Sequence, residues 1–374
     1  MEVPILKIPF DQGDAEAISQ DLTQLLLSGR LAMGEKCQLF ERSFADFIGA
    51  RFAVGCQNGT AALEMLARAL DLTGATVLVP ALTFMATALA PIALGAKIAV
   101  VDVDPDSFQL DPLDLAAKIT PRTKAIILVH LGGFISPRFR DIVSLAQKQG
   151  LYLLEDAAHA HGAEIEGLKA GTLGLGAAFS FYPTKVLTTA EGGLVTTNDE
   201  ALAEKLLVLR QHGQKNPGSN IHESFGLNFR PSEIHALLGL RMMKKAALIL
   251  DQRRKAAAIY DRLLENSPLK VVRPAAQEKP AYYKYMILLP EKVARGPLKE
   301  RLKKEYGVSL AGEVYATALS QQPYLLNNPS VLATPLTPAP VAEMVAKRQI
   351  CLPIWPGLTQ EAQEYVVDCL LKVL

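Results

Sequence analysis

Asp156 and Lys185 have the residue types and the setting to do chemistry together. Asp156 follows Glu155 at the end of the apolar run Leu151-Tyr152-Leu153-Leu154. Lys185 closes the word Ser180-Phe181-Tyr182-Pro183-Thr184-Lys185, with Glu191-Gly192-Gly193 just beyond. A lysine amine forms a Schiff base with a carbonyl carbon. A carboxylate facing it can keep a pyridine-type ring nitrogen protonated, which makes the ring an electron sink. An acid at the end of one strand and a lysine just past another is the arrangement such a cofactor needs. A lone lysine is ordinarily a solvated charge, and an Asp after a strand is ordinarily a helix cap, so the surrounding words carry the distinction.

Asn58-Gly59-Thr60 lies between a strand-like and a helix-like run. Gly59 and Thr60 can offer backbone N–H groups and a helix N-terminus to an anion; the same residues also make an ordinary turn and cap. His159 and His161 follow Asp156 closely and could ligate a metal with it. Further ligands are not evident, and Lys185 would have no role, so no metal is expected. Taken alone, Phe84 reads as core packing, Ser180 as a strand serine and Asn228 as the cap of a turn.

These residues need a scaffold that brings strand ends together. After an extended arm over residues 1–12, amphipathic helices are expected at 14–28 and 35–48. Strand-like runs follow at 52–56, 76–79, 98–103, 124–129, 151–155, 177–181 and 193–197. Helical runs fall at 60–71, 83–94, 112–119, 138–148 and 199–211. Alternation of helices with continuous apolar strands predicts a mostly parallel sheet covered on both faces. Ligands of such sheets sit at the carboxyl ends of the strands, which is where Asp156 and Lys185 fall. A long helix is expected from Pro231 to about Asn266, a strand over Ala281–Leu289 and a loop over 323–340. The organisation read from this pattern is α/β: a large domain over 13–250 and a smaller C-terminal α/β domain over 251–374.

The chain has 374 residues, 49% of them hydrophobic, enough for a self-sufficient core. Its 39 basic and 38 acidic residues leave a net charge of +1, so no basic stripe points to nucleic acid. Cys37, Cys56, Cys351 and Cys369 are widely spaced and read as free thiols of a reducing compartment. The start Met1-Glu2-Val3-Pro4 has neither a basic region nor an apolar core, so no secretion signal is read there. The apolar stretch from Phe84 to Val101 contains Pro91, Gly95 and Lys97 and reads as a helix followed by a strand, not a membrane span. A cytoplasmic protein with small-molecule partners, and with no nucleic-acid or membrane partner, is the expectation.

Four words in order sharpen it: Glu155-Asp156-Ala157-Ala158-His159-Ala160-His161-Gly162-Ala163, then Phe179 to Lys185, then Glu191-Gly192-Gly193, then Gly226-Leu227-Asn228-Phe229-Arg230. The chain resembles the DegT/DnrJ/EryC1/StrS sugar aminotransferases from about residue 8 to its C-terminus. The resemblance implies a fold type I pyridoxal 5'-phosphate enzyme that moves an amino group from glutamate or glutamine to a keto-sugar, expected to be nucleotide-linked. It implies catalytic roles for Lys185 and Asp156, cofactor phosphate contacts from Gly59, Thr60 and Ser180, and a ring-covering Phe84 in Pro80-Ala81-Leu82-Thr83-Phe84. His159 stands where the family most often has Gln, facing the cofactor's phenolic oxygen. Asn228 is expected to reach the cofactor phosphate of a second subunit in a homodimer, and Arg230 and Tyr315 are expected to meet substrate. The family's His-Tyr-Pro word near the nucleotide is represented here by Val314-Tyr315-Ala316. That departure keeps a cyclitol ketone open as acceptor, and a non-catalytic cofactor-binding protein is the alternative from another class.

Overall fold

The structure is a computed structural model describing residues 1–216 and 218–374. Its strands are β1 (Phe52–Cys56), β2 (Thr76–Pro80), β3 (Lys97–Val101), β4 (Thr123–Val129), β5 (Tyr152–Asp156), β6 (Glu164–Ile165), β7 (Leu168–Lys169), β8 (Gly176–Ser180), β9 (Gly193–Thr197), β10 (Lys270–Val271), β11 (Glu278–Lys279), β12 (Tyr285–Leu288) and β13 (Gln349–Leu352). Seven of them form one sheet in the order β1-β9-β8-β5-β4-β2-β3. β2 pairs parallel with β3 and β4, β4 with β5, and β5 with β8. β9 runs antiparallel to β1 and β8. The sheet is thus mostly parallel, as the alternating pattern predicts, and each of the seven strands expected for it lies within two residues of its observed place.

The central strands read as unbroken apolar runs because water reaches neither face: every residue of β2 is buried, and so are all but one of β4. Polar side chains at helix starts fix where strands hand over to helices. Asn58 accepts a hydrogen bond from the Ala61 amide at the start of the helix Gly59–Ala69, and Asp199 accepts from Leu202 at the helix Glu200–Arg210. The first of these helices packs on β8 and β9, so its N-terminus opens beside Ser180.

A three-stranded antiparallel sheet, β10-β12-β13, is built from the later part of the chain, and a small third sheet pairs β11 with β6. The helix Ala246–Leu263 runs through the position expected as the domain boundary. The arm before Gln12 is tied down at Val3, whose amide donates to the Gly307 carbonyl at 3.0 Å and whose carbonyl accepts from Ser309 at 3.0 Å.

Three expectations are corrected. The helix expected from Pro231 to Asn266 is two helices, Glu233–Met243 and Ala246–Leu263. A tight turn at Lys244–Lys245 separates them and places Lys245 against Asp11, at 2.5 Å, and Asp14. The strand expected over 281–289 is ladder-paired only at 285–288. The residues before it turn aside, Ala281 donating to the Gly133 carbonyl at 2.9 Å and Lys284 to Gly132 at 3.1 Å. The expected loop over 323–340 contains the short helix Pro323–Asn327 and a 3-10 turn at Pro329–Val331.

Candidate active site

A cavity of about 540 Å³ opens at the carboxyl ends of β5 and β8, within the usual size of ligand sites. Lys185, Asp156, His159, Ser180, Gly59, Thr60, Phe84 and Tyr315 all line it. Asn228 and Arg230 do not. Asn228 is exposed, its side chain accepting from the Arg230 amide at 3.4 Å, and nothing in one chain brings either residue to the cavity.

β5 ends in two consecutive acids with opposite surroundings. Successive strand residues point to opposite faces. Glu155 is fully buried beneath the sheet, 2.8 Å from His130 Nε2, and accepts from the amides of Gly171, Leu173 and Gly174. It holds the loop that leads into β8. Asp156 faces the cavity. Its Oδ2 accepts from Thr87 Oγ1 at 2.7 Å and its Oδ1 from the Ala158 amide at 3.2 Å. Thr87 is itself 2.7 Å from Thr83. A carboxylate oriented by neutral donors, with its charge turned to a cavity, is a partner for a cationic ring nitrogen.

Lys185 follows a turn closed by its own amide, which donates to the Tyr182 carbonyl at 2.9 Å. Burial pushes its amine down to about 8; the Asp156 charge acts in the opposite direction, and the Lys284 charge adds to the lowering. The amine therefore reaches its uncharged, nucleophilic form far more readily than a surface lysine does.

His159 is buried, with its pKa well below the usual histidine range, first because of burial and then because of the Lys185 charge. Nδ1 accepts from the Gly132 amide at 3.3 Å, so the ring proton sits on Nε2, which donates to the Tyr315 hydroxyl at 3.0 Å. His161 points away into Phe44, Phe179 and Phe181, and burial holds it at about 3. Asp156, His159 and His161 therefore do not converge. Among the described residues no group of three or more His, Cys, Asp or Glu side chains could hold a metal ion.

Phe84 is 58% exposed, its ring 5.6 Å from that of Tyr315. It does not pack in the core, which is how it reads when taken alone. Gly59 sits so close to Ser180 that an added Cβ would lie 2.7 Å from the Ser180 Cβ. That contact keeps the helix start, with the amides of Gly59 and Thr60, beside the Ser180 hydroxyl. Val314 is buried, its backbone held by the Gln349 side chain at 3.1 and 2.9 Å; the neighbouring Tyr315 reaches the site instead.

Sequence reasoning missed Thr87, Tyr283 and Lys284. Thr87 had a signal, since it follows Thr83 at the four-residue spacing that puts two side chains on one helical face. Tyr283, whose ring stacks on His159 at 4.2 Å, had none. Cys37, Cys56, Cys351 and Cys369 are free and buried, and among the described residues no helix is long and apolar enough to cross a membrane.

The sequence profile of the DegT/DnrJ/EryC1/StrS aminotransferase family matches residues 12–371. A pleiotropic regulatory protein of Geobacillus stearothermophilus is 34% identical, covering 98% of this chain and 97% of its own length. A UDP-N-acetyl-3-dehydro-alpha-D-glucosamine 3-aminotransferase of Acidithiobacillus ferrooxidans is 34% identical, covering 96% of this chain and 94% of its own. Among solved structures, Helicobacter pylori PseC, an aminotransferase involved in the biosynthesis of pseudoaminic acid, superposes with a TM-score of 0.89 at 30% identity, over 100% of this chain and 99% of that one.

Proposed function

Since the chain belongs to the DegT/DnrJ/EryC1/StrS aminotransferase family, we propose that it is a pyridoxal-phosphate-dependent enzyme that transfers an amino group from glutamate or glutamine to a nucleotide-linked keto-sugar. The observation that carries this reading is the facing of Asp156 and Lys185 across one cavity, with a helix N-terminus and Ser180 at its end. The cavity fits the cofactor. Asp156 would hold its ring nitrogen, the amides of Gly59 and Thr60 with the Ser180 hydroxyl its phosphate, Phe84 would cover the ring, and His159 would meet its phenolic oxygen. Bound there, pyridoxal phosphate supplies an electron sink for a carbanion next to nitrogen.

The chain's own residues do the rest. The amine of Lys185, with a pKa near 8, takes a proton from the donor's α-carbon and later delivers one to the acceptor. Thr87 keeps the Asp156 carboxylate turned to the cavity through both half-reactions. His159, held neutral, offers Nε2–H and so passes no charge to the site. Tyr315 and Phe84, with rings 5.6 Å apart, form an aromatic wall along the cavity.

The working unit in this reading is a cytoplasmic homodimer. Phe225, 61% exposed with the Arg68 guanidinium over its ring, and Leu227 lie just before Asn228 and are residues that a second copy would cover. Asn228 would then serve the partner's site. The name of the Geobacillus relative suggests a regulatory role, but the complete lysine, carboxylate and anion-binding set here supports turnover. The deciding experiment supplies glutamate and glutamine separately, with nucleotide-linked 3-keto and 4-keto sugars beside inosose-type ketones, and reads product mass. Amination of a nucleotide sugar is expected. Amination of free cyclitols alone would correct the acceptor, and no amination of any ketone would overturn the proposal.

A further inference from the structure

We propose that Tyr283 is a positioning residue for the Lys185 amine, its ring face holding Nζ while its hydroxyl, tied to Thr184, holds the ring. The proposal rests on the reading of Lys185 given above and goes beyond it to a residue from a distant part of the chain.

The Lys185 Nζ lies 4.9 Å from the centroid of the Tyr283 ring. Tyr283 Oη is 3.1 Å from Thr184 Oγ1, in the residue just before the lysine, and the ring stacks on His159 with centroids 4.2 Å apart and planes at 26°. One side chain thus touches the lysine, its chain neighbour and the histidine of the site. Its backbone is fixed from several sides. Ala281 and Lys284 donate to Gly133 and Gly132, and the buried guanidinium of Arg253 donates to the Tyr282 carbonyl at 2.8 Å and to Ile354 at 3.3 Å. Gly133 has φ +92°, and a Cβ there would lie 2.9 Å from the Tyr283 nitrogen, so the approach depends on glycine.

The chemistry explains why a ring suits this place. The Lys185 amine must be held, yet must gain and lose a proton in each half-reaction. A carboxylate at contact distance would clamp it as ammonium. An aromatic face attracts the ammonium more weakly and leaves the nitrogen lone pair free once the proton has gone. The charged groups around the amine are consistent with this. Asp156 supports the charged form across the cavity, Lys284 opposes it from 4.9 Å off the same ring, His159 and His161 are held neutral by burial, and Glu191 lines the cavity.

The test uses cofactor-free full-length protein. Pyridoxal phosphate is added, the linkage is fixed with borohydride at timed intervals, and the pyridoxyl group on the peptide containing Lys185 is counted by mass spectrometry. At pH 9, where the amine is already largely uncharged and the rate reads its placement rather than its charge, Tyr283→Leu is expected to slow capture about tenfold, while Tyr283→Phe, which keeps the ring, stays within about threefold of wild type. Tyr283→Met fills the space without a π face and is read in the same way if the Leu variant does not fold. Capture at the wild-type rate in the Leu or Met variant, or a Phe variant as slow as either, would overturn the proposal. If wild type itself places no pyridoxyl group on Lys185, the assignment of Lys185 fails and Tyr283 falls with it. Capture in wild type with no effect at position 283 sinks the Tyr283 proposal alone.

Discussion

The pH at which Lys185 attacks a carbonyl should be set by burial and two nearby charges, and each charge can be removed singly. The amine is lowered from 10.5 to about 8, so it is charged and inert below that pH and nucleophilic above it. The rate of pyridoxal phosphate capture should therefore climb about tenfold per pH unit up to about 8 and then level off. At pH 7 about one tenth of the amine is uncharged, against about one part in 3,000 for an ordinary lysine. Asp156 supports the ammonium, so Asp156→Asn should move the midpoint below 8 and speed capture at pH 7. The same change removes the partner of the ring nitrogen and should cut turnover by several orders of magnitude, about 10³-fold or more. Lys284 opposes the ammonium, so Lys284→Met should move the midpoint upward and slow capture at pH 7. The assay is the borohydride-fixed label on Lys185 as a function of pH, with turnover measured on the same preparations. A wild-type midpoint near that of a free lysine, or an upward shift in Asp156→Asn, would refute the reasoning.

Thr87→Val removes the hydroxyl that orients Asp156; a hydrogen bond to a charged group is worth about 1.5–3 kcal/mol, so kcat should fall roughly ten- to hundredfold, and an unchanged kcat would mean that Asp156 needs no orienting. Phe84→Ala should leave thermal unfolding nearly unmoved, because the ring is mostly exposed, but should weaken cofactor retention in dialysis by about 0.5–1.5 kcal/mol. Glu155→Ala should do the reverse of a catalytic change, lowering stability by about 3–5 kcal/mol through the loss of three amide contacts and the His130 pair, as read by denaturant titration. Mixing inactive Lys185→Ala and Asn228→Asp subunits should restore activity, to at most about half of wild type per dimer, if the two sites are shared across a two-fold axis; no recovery after proven exchange would place Asn228 within its own subunit.

The large sheet was legible because its strands are buried on both faces and so appear as unbroken apolar runs separated by helical patterns. The places of Asp156 and Lys185 at the carboxyl ends of their strands were legible for the same reason, whereas the roles expected of them came from the words around them. The break at Lys244–Lys245 was not, because no Pro or Gly marks it; its side-chain partners, Asp11 and Asp14, lie more than two hundred residues away in sequence. Tyr283 was hidden likewise. It belongs to a run that reads as strand, yet its backbone leaves the ladder to pair with the turn at Gly132–Gly133, and no periodicity encodes that choice. Asn228 and Arg230 stood out in the sequence, but a single chain gives them no place in the cavity.

The two acids ending β5 have a consequence for how this site can change. Glu155 anchors a loop on one side of the sheet, and Asp156 serves the cavity on the other. A strand held between parallel neighbours on both edges cannot slide by one position without exchanging the two faces. Deleting or inserting one residue within 152–156 would aim the scaffold's acid at the cavity and bury the cavity's acid under the sheet, in a chain of nearly unaltered composition. Lineages carrying this strand should therefore differ there by substitution and hardly ever in length, whereas the exposed surface loops are free to grow.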